Sequence, residues 1–269
     1  MTLDVLISTY GRDGIENVAA TTLPRVADVR YVVSWQSPDG EIPVALQRDD
    51  IKVVTLDGRG LSRNRNNSIK ASTADICLIA DDDQIFYPDG LKALIDAFAG
   101  RPEMDVALVK VDLPVKKQYP SEETPIERGR FPKGYYVQSI EISFRRKSLP
   151  PGPWFDTRFG LGAERYLCGE EELMVDELLH AGLNCRFIPI VASAHPDHTT
   201  AFSSKALAGV QQACGAVITR LHPLSWPLRV PLKAWRMSRA GAGALHRVFF
   251  NVVRGAFASL FMSRYGYRK

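Results

Sequence analysis

Three adjacent carboxylates, Asp81-Asp82-Asp83, follow directly on the apolar run Ile76–Ala80. At neutral pH such neighbours repel, raise one another's pKa and strain the loop that carries them. A hard divalent cation relieves the repulsion. Mg²⁺ and Mn²⁺ prefer oxygen ligands, and Mg²⁺ commonly takes one or two carboxylates and leaves its other positions to phosphate and water. A solvated acidic turn is the bland alternative. An ion held there suits a diphosphate leaving group, because it bridges the phosphates and neutralises the charge that grows as the bond to the leaving oxygen breaks. A second acidic run, Glu170-Glu171-Glu172, opens a helical stretch, where acids also complement the helix dipole. His195 and His198 have H-x-x-H spacing, but without Cys or Glu partners in ligand spacing the zinc signal is weak.

The elements that must position these groups alternate. Apolar runs at Leu3–Ser8, Val29–Trp35, Ile51–Leu56, Ile76–Ala80 and Val106–Val111 read as strands. Between them, Ile15–Leu23, Leu61 to about Ser72, and Pro88–Phe98 read as helices, the last with Pro near its first turn. Such alternation predicts an α/β fold, Rossmann-like, with a mostly parallel central sheet flanked by helices. Ligands in these sheets sit beyond the carboxyl ends of the strands, where the acidic triplet lies. The stretch 112–135 reads as a long loop, Val137–Arg145 as a strand, Gly169–Ala181 as a helix and Asn184–Ile190 as a strand.

The composition is ordinary for a globular protein: 45% apolar and 24% charged over 269 residues. The four cysteines are scattered without C-x-x-C, so reduced thiols are expected rather than a disulfide scaffold. The first residues, with Asp4 inside the apolar stretch, do not read as a signal peptide, and no window reaches the length of a spanning helix. Gly58-Arg59-Gly60 lacks the third glycine of a dinucleotide fingerprint, and no GxxxxGK[ST] phosphate loop is present.

Four segments, in order, carry a family likeness: VLISTYGR (5–12), GLSRNRNNSI (60–69), LIADDDQIFYPDGL (78–91), and FDTRFGLGAERYLCGEEEL (155–173) followed by IPIVASAHP (188–196). Together they resemble the GT-A-fold glycosyltransferases of family 2, particularly those of bacterial surface-polysaccharide assembly. The second segment has Asn64 where the family usually has Ala, and the second strand ends in Ser34-Trp35-Gln36-Ser37 where the family usually has acidic residues. The resemblance implies an inverting transferase that uses a nucleoside-diphosphate sugar, UDP-linked by expectation, with Mn²⁺ or Mg²⁺. It implies Asp83 as main metal ligand with Asp81 second and His195 completing the site, His198 being the competitor. Thr9, Tyr10, Arg12, Gln36 and Asp82 would line the nucleotide, with Arg65, or alternatively Arg63, on the phosphates. An acceptor hydroxyl needs a general base. Glu171 matches the family position for it, with Glu170 positioning the acceptor. The acceptor is expected to be a saccharide or a lipid-linked saccharide. The rival readings are a metal-dependent nucleotidyltransferase or phosphodiesterase, and a non-catalytic membrane-bound scaffold.

The charge is divided. The chain has 34 basic and 30 acidic residues, yet 198–269 contains no Asp or Glu and eleven Lys or Arg, which leaves 23 basic against 30 acidic in 1–197. The expected organisation is therefore a catalytic domain over 1–200 (nucleotide half about 1–111, acceptor half about 112–200) and a basic amphipathic helical extension over 201–269. Pro227 and Pro231 are expected to break any early helix. Over Leu245–Phe261, Leu245, Val248, Phe249, Val252, Val253, Ala256 and Leu260 share one broad face at about 100° per residue. Apolar breadth, Trp226, Trp235 and purely basic charge suggest that residues 224–269 bind an anionic membrane surface, placing the protein peripherally on the cytoplasmic face of the plasma membrane. Nucleic acid is not an expected partner, because no recognition motif is present.

Overall fold

A computed structural model of the chain describes residues 1–114, 117–196 and 206–262. In order, the elements are β1 (Leu3–Tyr10), α1 (Gly11–Ala20), β2 (Val29–Gln36), β3 (Ile51–Leu56), α2 (Leu61–Ala71), β4 (Ile76–Asp81), β5 (Ile85–Phe86), α3 (Pro88–Ala99), β6 (Val106–Asp112), β7 (Thr124–Ile126), β8 (Ile142–Arg145), α4 (Glu170–His180), β9 (Cys185–Ala194), α5 (Leu207–Leu221), α6 (Trp226–Arg239) and α7 (Leu245–Leu260). The chain divides into two compact units. The first comprises Met1–Arg59, Arg63–Pro150 and the described part of 178–197; the second comprises Gly60–Ser62, Pro151–Glu177 and the described part of 198–269.

The first unit holds a nine-stranded sheet in the order β3-β2-β1-β4-β8-β6-β9-β5, with β7 paired to β9. The expected parallel arrangement holds for β3-β2-β1-β4 and for β6 beside β9. The sheet is mixed overall, because β8, β5 and β7 run antiparallel to their neighbours. β1 is buried on both faces until Tyr10. Val5, Ile7, Tyr31, Val33, Leu78 and Ala80 form one core with Ile15, Leu91, Leu94 and Phe98 from the helices. The parallel register aligns Ser8 with both Ser34 and Asp81, so the exits of β1, β2 and β4 lie side by side. That alignment gathers the candidate groups of this unit.

Sequence periodicity misread several stretches. The expected strand Val137–Arg145 is a strand only from Ile142; Ser139–Glu141 is a 3-10 turn closed by reciprocal bonds between Gln138 and Glu141. Glu141 is fully buried and accepts hydrogen bonds from Lys117, Tyr119 and Tyr135. These bonds pull its carboxylate inward and bend the backbone out of the alternation that the sequence shows. The expected loop 112–135 contains β7.

In the second unit, Phe159, Tyr166, Leu173, Ala213, Ala216 and Val217 form one core, and Val230, Ala234, Val248, Val252 and Ala256 another. α5 and α7 approach closely at glycine. A Cβ on Gly215 would lie 1.9 Å from the Val252 carbonyl oxygen, and one on Gly255 would lie 1.9 Å from that of Gln212. The expectation that Pro227 and Pro231 would break a helix is overturned, since α6 runs through both. Pro227 sits in the first turn, where its missing N–H needs no partner. Pro231 is carried inside the helix because Val230 and Ala234 pack on Val248, Val252 and Ala256. The broad face expected on the last helix is divided: Val248, Val252 and Ala256 are buried, while Leu245, Phe249 and Leu260 are exposed. No described helix is long and apolar enough to cross a membrane.

Candidate active site

Each member of the acidic triplet meets a different partner in the first unit. Asp81, the last residue of β4, accepts a hydrogen bond from Arg65 Nη2 at 3.0 Å, and its backbone N–H donates to Gln84 Oε1 at 2.8 Å. Gln84 in turn donates to Ser193 Oγ on β9, which ties the loop to the sheet. Asp82 Oδ2 accepts from Thr9 Oγ1 at 2.7 Å, at the exit of β1. Burial, with the charges of Asp81 and Asp83 adding, pushes the Asp82 carboxyl up to about 6 despite the Thr9 bond. Folding thus favours its protonated form, and the associated stability is lost as pH rises from about 4 through about 6 unless a positive charge arrives.

Asp83 Oδ1 is buried without a hydrogen bond, although His195 Nε2 stands 3.1 Å away. The other ring nitrogen, Nδ1, lies 2.7 Å from the Pro196 carbonyl oxygen. A metal-ligating histidine commonly donates one N–H to a backbone carbonyl and leaves the other nitrogen as a lone pair. If Nδ1–H is the donor, Nε2 turns a lone pair toward a carboxylate oxygen, and either a proton or a cation must lie between them. Pairing with Asp83 accordingly pushes the imidazole up to about 9. Among the described residues no three His, Cys, Asp or Glu side chains already converge on one point. Even so, the buried Asp83 oxygen without a hydrogen bond, the orientation of His195 and the mutual repulsion of the triplet fit an oxygen-seeking divalent cation.

The other expected groups vary in placement. Gln36, at the end of β2, is buried with its Nε2 unpaired, and Ser8 Oγ at the β1 exit is likewise unpaired. Tyr10 is half exposed, and the Arg59 guanidinium lies 5.6 Å from its ring centroid. Arg12 is held on the surface by Glu16 and the Glu41 carbonyl. Arg63 is exposed beside Gly58, its Nη2 at the 3.5 Å limit of a bond to the Asp57 carbonyl. Arg65, expected at the phosphates, is 2% exposed and bound to Asp81 and Ser139 Oγ. Its charge therefore positions Asp81, and the triplet sets that orientation by offering the nearest carboxylate. Glu170 and Glu171 lie in the first turn of α4 in the second unit, Glu170 buried and Glu171 half-buried. Gly160, in the left-handed region at φ +99°, makes room for Glu170: a Cβ there would approach its carboxylate carbon to 3.1 Å. His198 lies outside the described residues, as do Lys205, Arg264, Arg268 and Lys269 of the tail.

Sequence reasoning missed Gln84, Ser139, Ser8 and Gly14. Gln84 adjoins the triplet and Ser8 adjoins Thr9, so proximity was an available signal; nothing local marks Ser139 or Gly14. A Cβ on Gly14 would fall 2.2 Å from Thr9 Oγ1 and 2.9 Å from Asp82 Oδ2. Gly14→Ala is expected to break the Thr9–Asp82 bond. Stability should fall by about 1–3 kcal/mol, read as a lowered melting temperature, and the Asp82 side chain should turn in a crystal structure of the variant. An unchanged melting temperature would show that the contact is slack.

Parallel strands whose exits carry an acidic triplet, an unpaired amide and a histidine–carboxylate pair make this a GT-A-like α/β fold, with helices at the C-terminal end. Residues 31–150 match the sequence profile of Glycosyl transferase family 2. Solved structures share the fold. TarS from S. aureus superposes with a TM-score of 0.56 at 15% identity over 89% of this chain, which spans 43% of that one. A shorter form of TarS in complex with UDP gives 0.57 at 15% identity, covering 91% of this chain and 73% of that one. The mannosyltransferase PcManGT from Pyrobaculum calidifontis, in complex with GDP-Man and Mn²⁺, gives 0.56 at 15% identity, covering 96% and 87%. No curated protein sequence is significantly similar to the chain.

Proposed function

We propose that the protein is an inverting glycosyltransferase that moves a sugar from a nucleoside-diphosphate sugar, most simply a UDP-sugar, to a saccharide or lipid-linked saccharide acceptor in cell-surface polysaccharide assembly. The observation that carries the reading is the half-buried Asp83, whose inward-facing Oδ1 stands 3.1 Å from His195 Nε2 just beyond the exit of the fourth strand. The complexes of similar folds with UDP and with GDP-Man and Mn²⁺ support it. Asp83, Asp81 and His195 would hold Mn²⁺ or Mg²⁺. When bound, the ion supplies positive charge against the departing diphosphate.

The chain's own residues do the rest. Gln36 offers its unpaired amide N–H to the edge of the base, and half-exposed Tyr10 offers a ring to stack on it. Asp82, held by Thr9, faces the ribose. Arg63 takes the phosphate contact, since Arg65 is engaged with Asp81. Glu171 removes the proton from the acceptor hydroxyl as that oxygen attacks the anomeric carbon from the face opposite the leaving diphosphate, which inverts the centre. Glu170 holds the acceptor. Nucleotide sugars are made in the cytoplasm, so the reaction would run on the cytoplasmic side of the plasma membrane.

A thermal-shift series with UDP and GDP, each with and without Mn²⁺, tests the donor site. Binding to the folded state alone stabilises it by about 2.7 kcal/mol at a hundredfold excess over Kd. A shift for one nucleotide only when Mn²⁺ is present is expected. No shift for either would remove the donor reading.

A further inference from the structure

We infer that α6 and α7 form a docking face for an anionic lipid bilayer. Both helices are apolar on two opposite sides. On α7, Val248, Val252, Gly255, Ala256 and Ser259 are buried in the second unit. Phe250, Phe257 and Phe261, spaced seven and four residues apart, form a stripe on the opposite side and are 64%, 53% and 89% exposed. On α6, Val230 and Ala234 are buried, whereas Leu228, Leu232 and Trp235 recur at intervals of four and three along an exposed stripe, and Leu224 in the turn before the helix is exposed as well. Trp226 packs edge-on against Phe257 at 5.5 Å, joining the two helices at the margin of these stripes. A contiguous exposed apolar patch on a helix whose other side is already buried marks a docking site.

Charge selects the occupant. Arg247 and Arg254 are exposed beside the α7 stripe, and Arg229 and Arg236 are exposed on α6, whereas Lys233 lies within electrostatic reach of Glu172. Arg239 lies 5.4 Å from the Trp235 ring centroid. From residue 198 to the end of the chain the sequence contains no acidic residue. Aromatic and leucine side chains flanked only by cations match the acyl boundary and anionic headgroups of a bilayer, where each Arg or Lys adds attraction. A second copy of the chain would bring the same cations into opposition. The structure thereby redraws the face expected from periodicity: the lipid-facing side of α7 is centred on Phe250 and Phe257, because Val248, Val252 and Ala256 are taken by the protein core. This inference stands apart from the glycosyltransferase reading, although a lipid-linked acceptor would be presented at such a surface.

The test is co-sedimentation of the full chain with large vesicles of phosphatidylcholine alone or mixed 3:1 with phosphatidylglycerol, without donor or acceptor, so that failure here leaves the donor site untouched and the converse. Binding to the anionic vesicles only is expected. Arg254→Ala should lower the partition coefficient about fivefold. Phe250→Ser with Phe261→Ser should lower it more than tenfold, with melting temperature unchanged because both side chains are largely exposed. Equal binding to both vesicle types, no binding to either, or partition unaffected by these variants overturns the inference. So does light scattering that shows a dimer dissociated by the double Phe variant without any vesicle binding.

Discussion

Asp83→Asn is expected to abolish the Mn²⁺-dependent nucleotide shift and to lower turnover by about 10²–10³-fold, the range for removing one preorganised electrostatic partner of a developing charge. The substitution keeps the side-chain size and removes the charge that holds His195. A second readout follows from that pairing. In the metal-free protein His195 titrates near 9 because Asp83 favours the imidazolium. The stability this contributes is fully present below about pH 6.5, the pKa of a free imidazole, and is lost as pH rises through about 9. The variant should show no such fall in melting temperature between those values, measured with chelator present. Turnover within threefold of wild type, with the pH slope retained, would remove Asp83 from the site.

Glu171→Gln is expected to lower kcat by about 10²–10⁴-fold, the usual contribution of a general base. The KM for the donor should stay unchanged, because the amide preserves shape and the residues proposed for the donor lie in the first unit. The loss should also erase the acidic limb of the pH–rate profile. A merely structural role in the first turn of α4 predicts something else: a stability loss of about 0.3–1 kcal/mol from the helix dipole, with normal turnover. If Glu170→Gln instead gives the kinetic loss and Glu171→Gln does not, the two roles exchange.

Much of this site was legible because its groups are local in sequence. A carboxylate triplet immediately after an apolar strand lies at a strand exit in any parallel sheet, so Asp81, Asp82 and Asp83 were placed together with no knowledge of the fold's other half. Thr9, Tyr10 and Gln36 followed by the same logic, as ends of strands one and two. Arg65 shows the limit. Its position at the start of a polar helix suggested a free cation, and only the pairing of that helix with the exit of β4 shows the guanidinium buried against Asp81. Ser139 and Gly14 carry no local mark at all, since each matters through an atom contributed from a distant stretch of chain.

The tail teaches the same lesson through packing. Two prolines in α6 read as helix breakers, yet the helix persists because burying Val230 and Ala234 outweighs one missing hydrogen bond. A broad apolar face on α7 was read correctly as apolar and wrongly as a single face, for periodicity counts side chains without knowing which side α5 will occupy. The sequence by itself determined the strand–helix alternation, the acidic exit and the division of charge, all of which depend on near neighbours and on composition. Only the tertiary structure decided which carboxylate meets a histidine, which arginine is buried and which aromatic rings remain outside, because those depend on contacts between segments far apart in the chain.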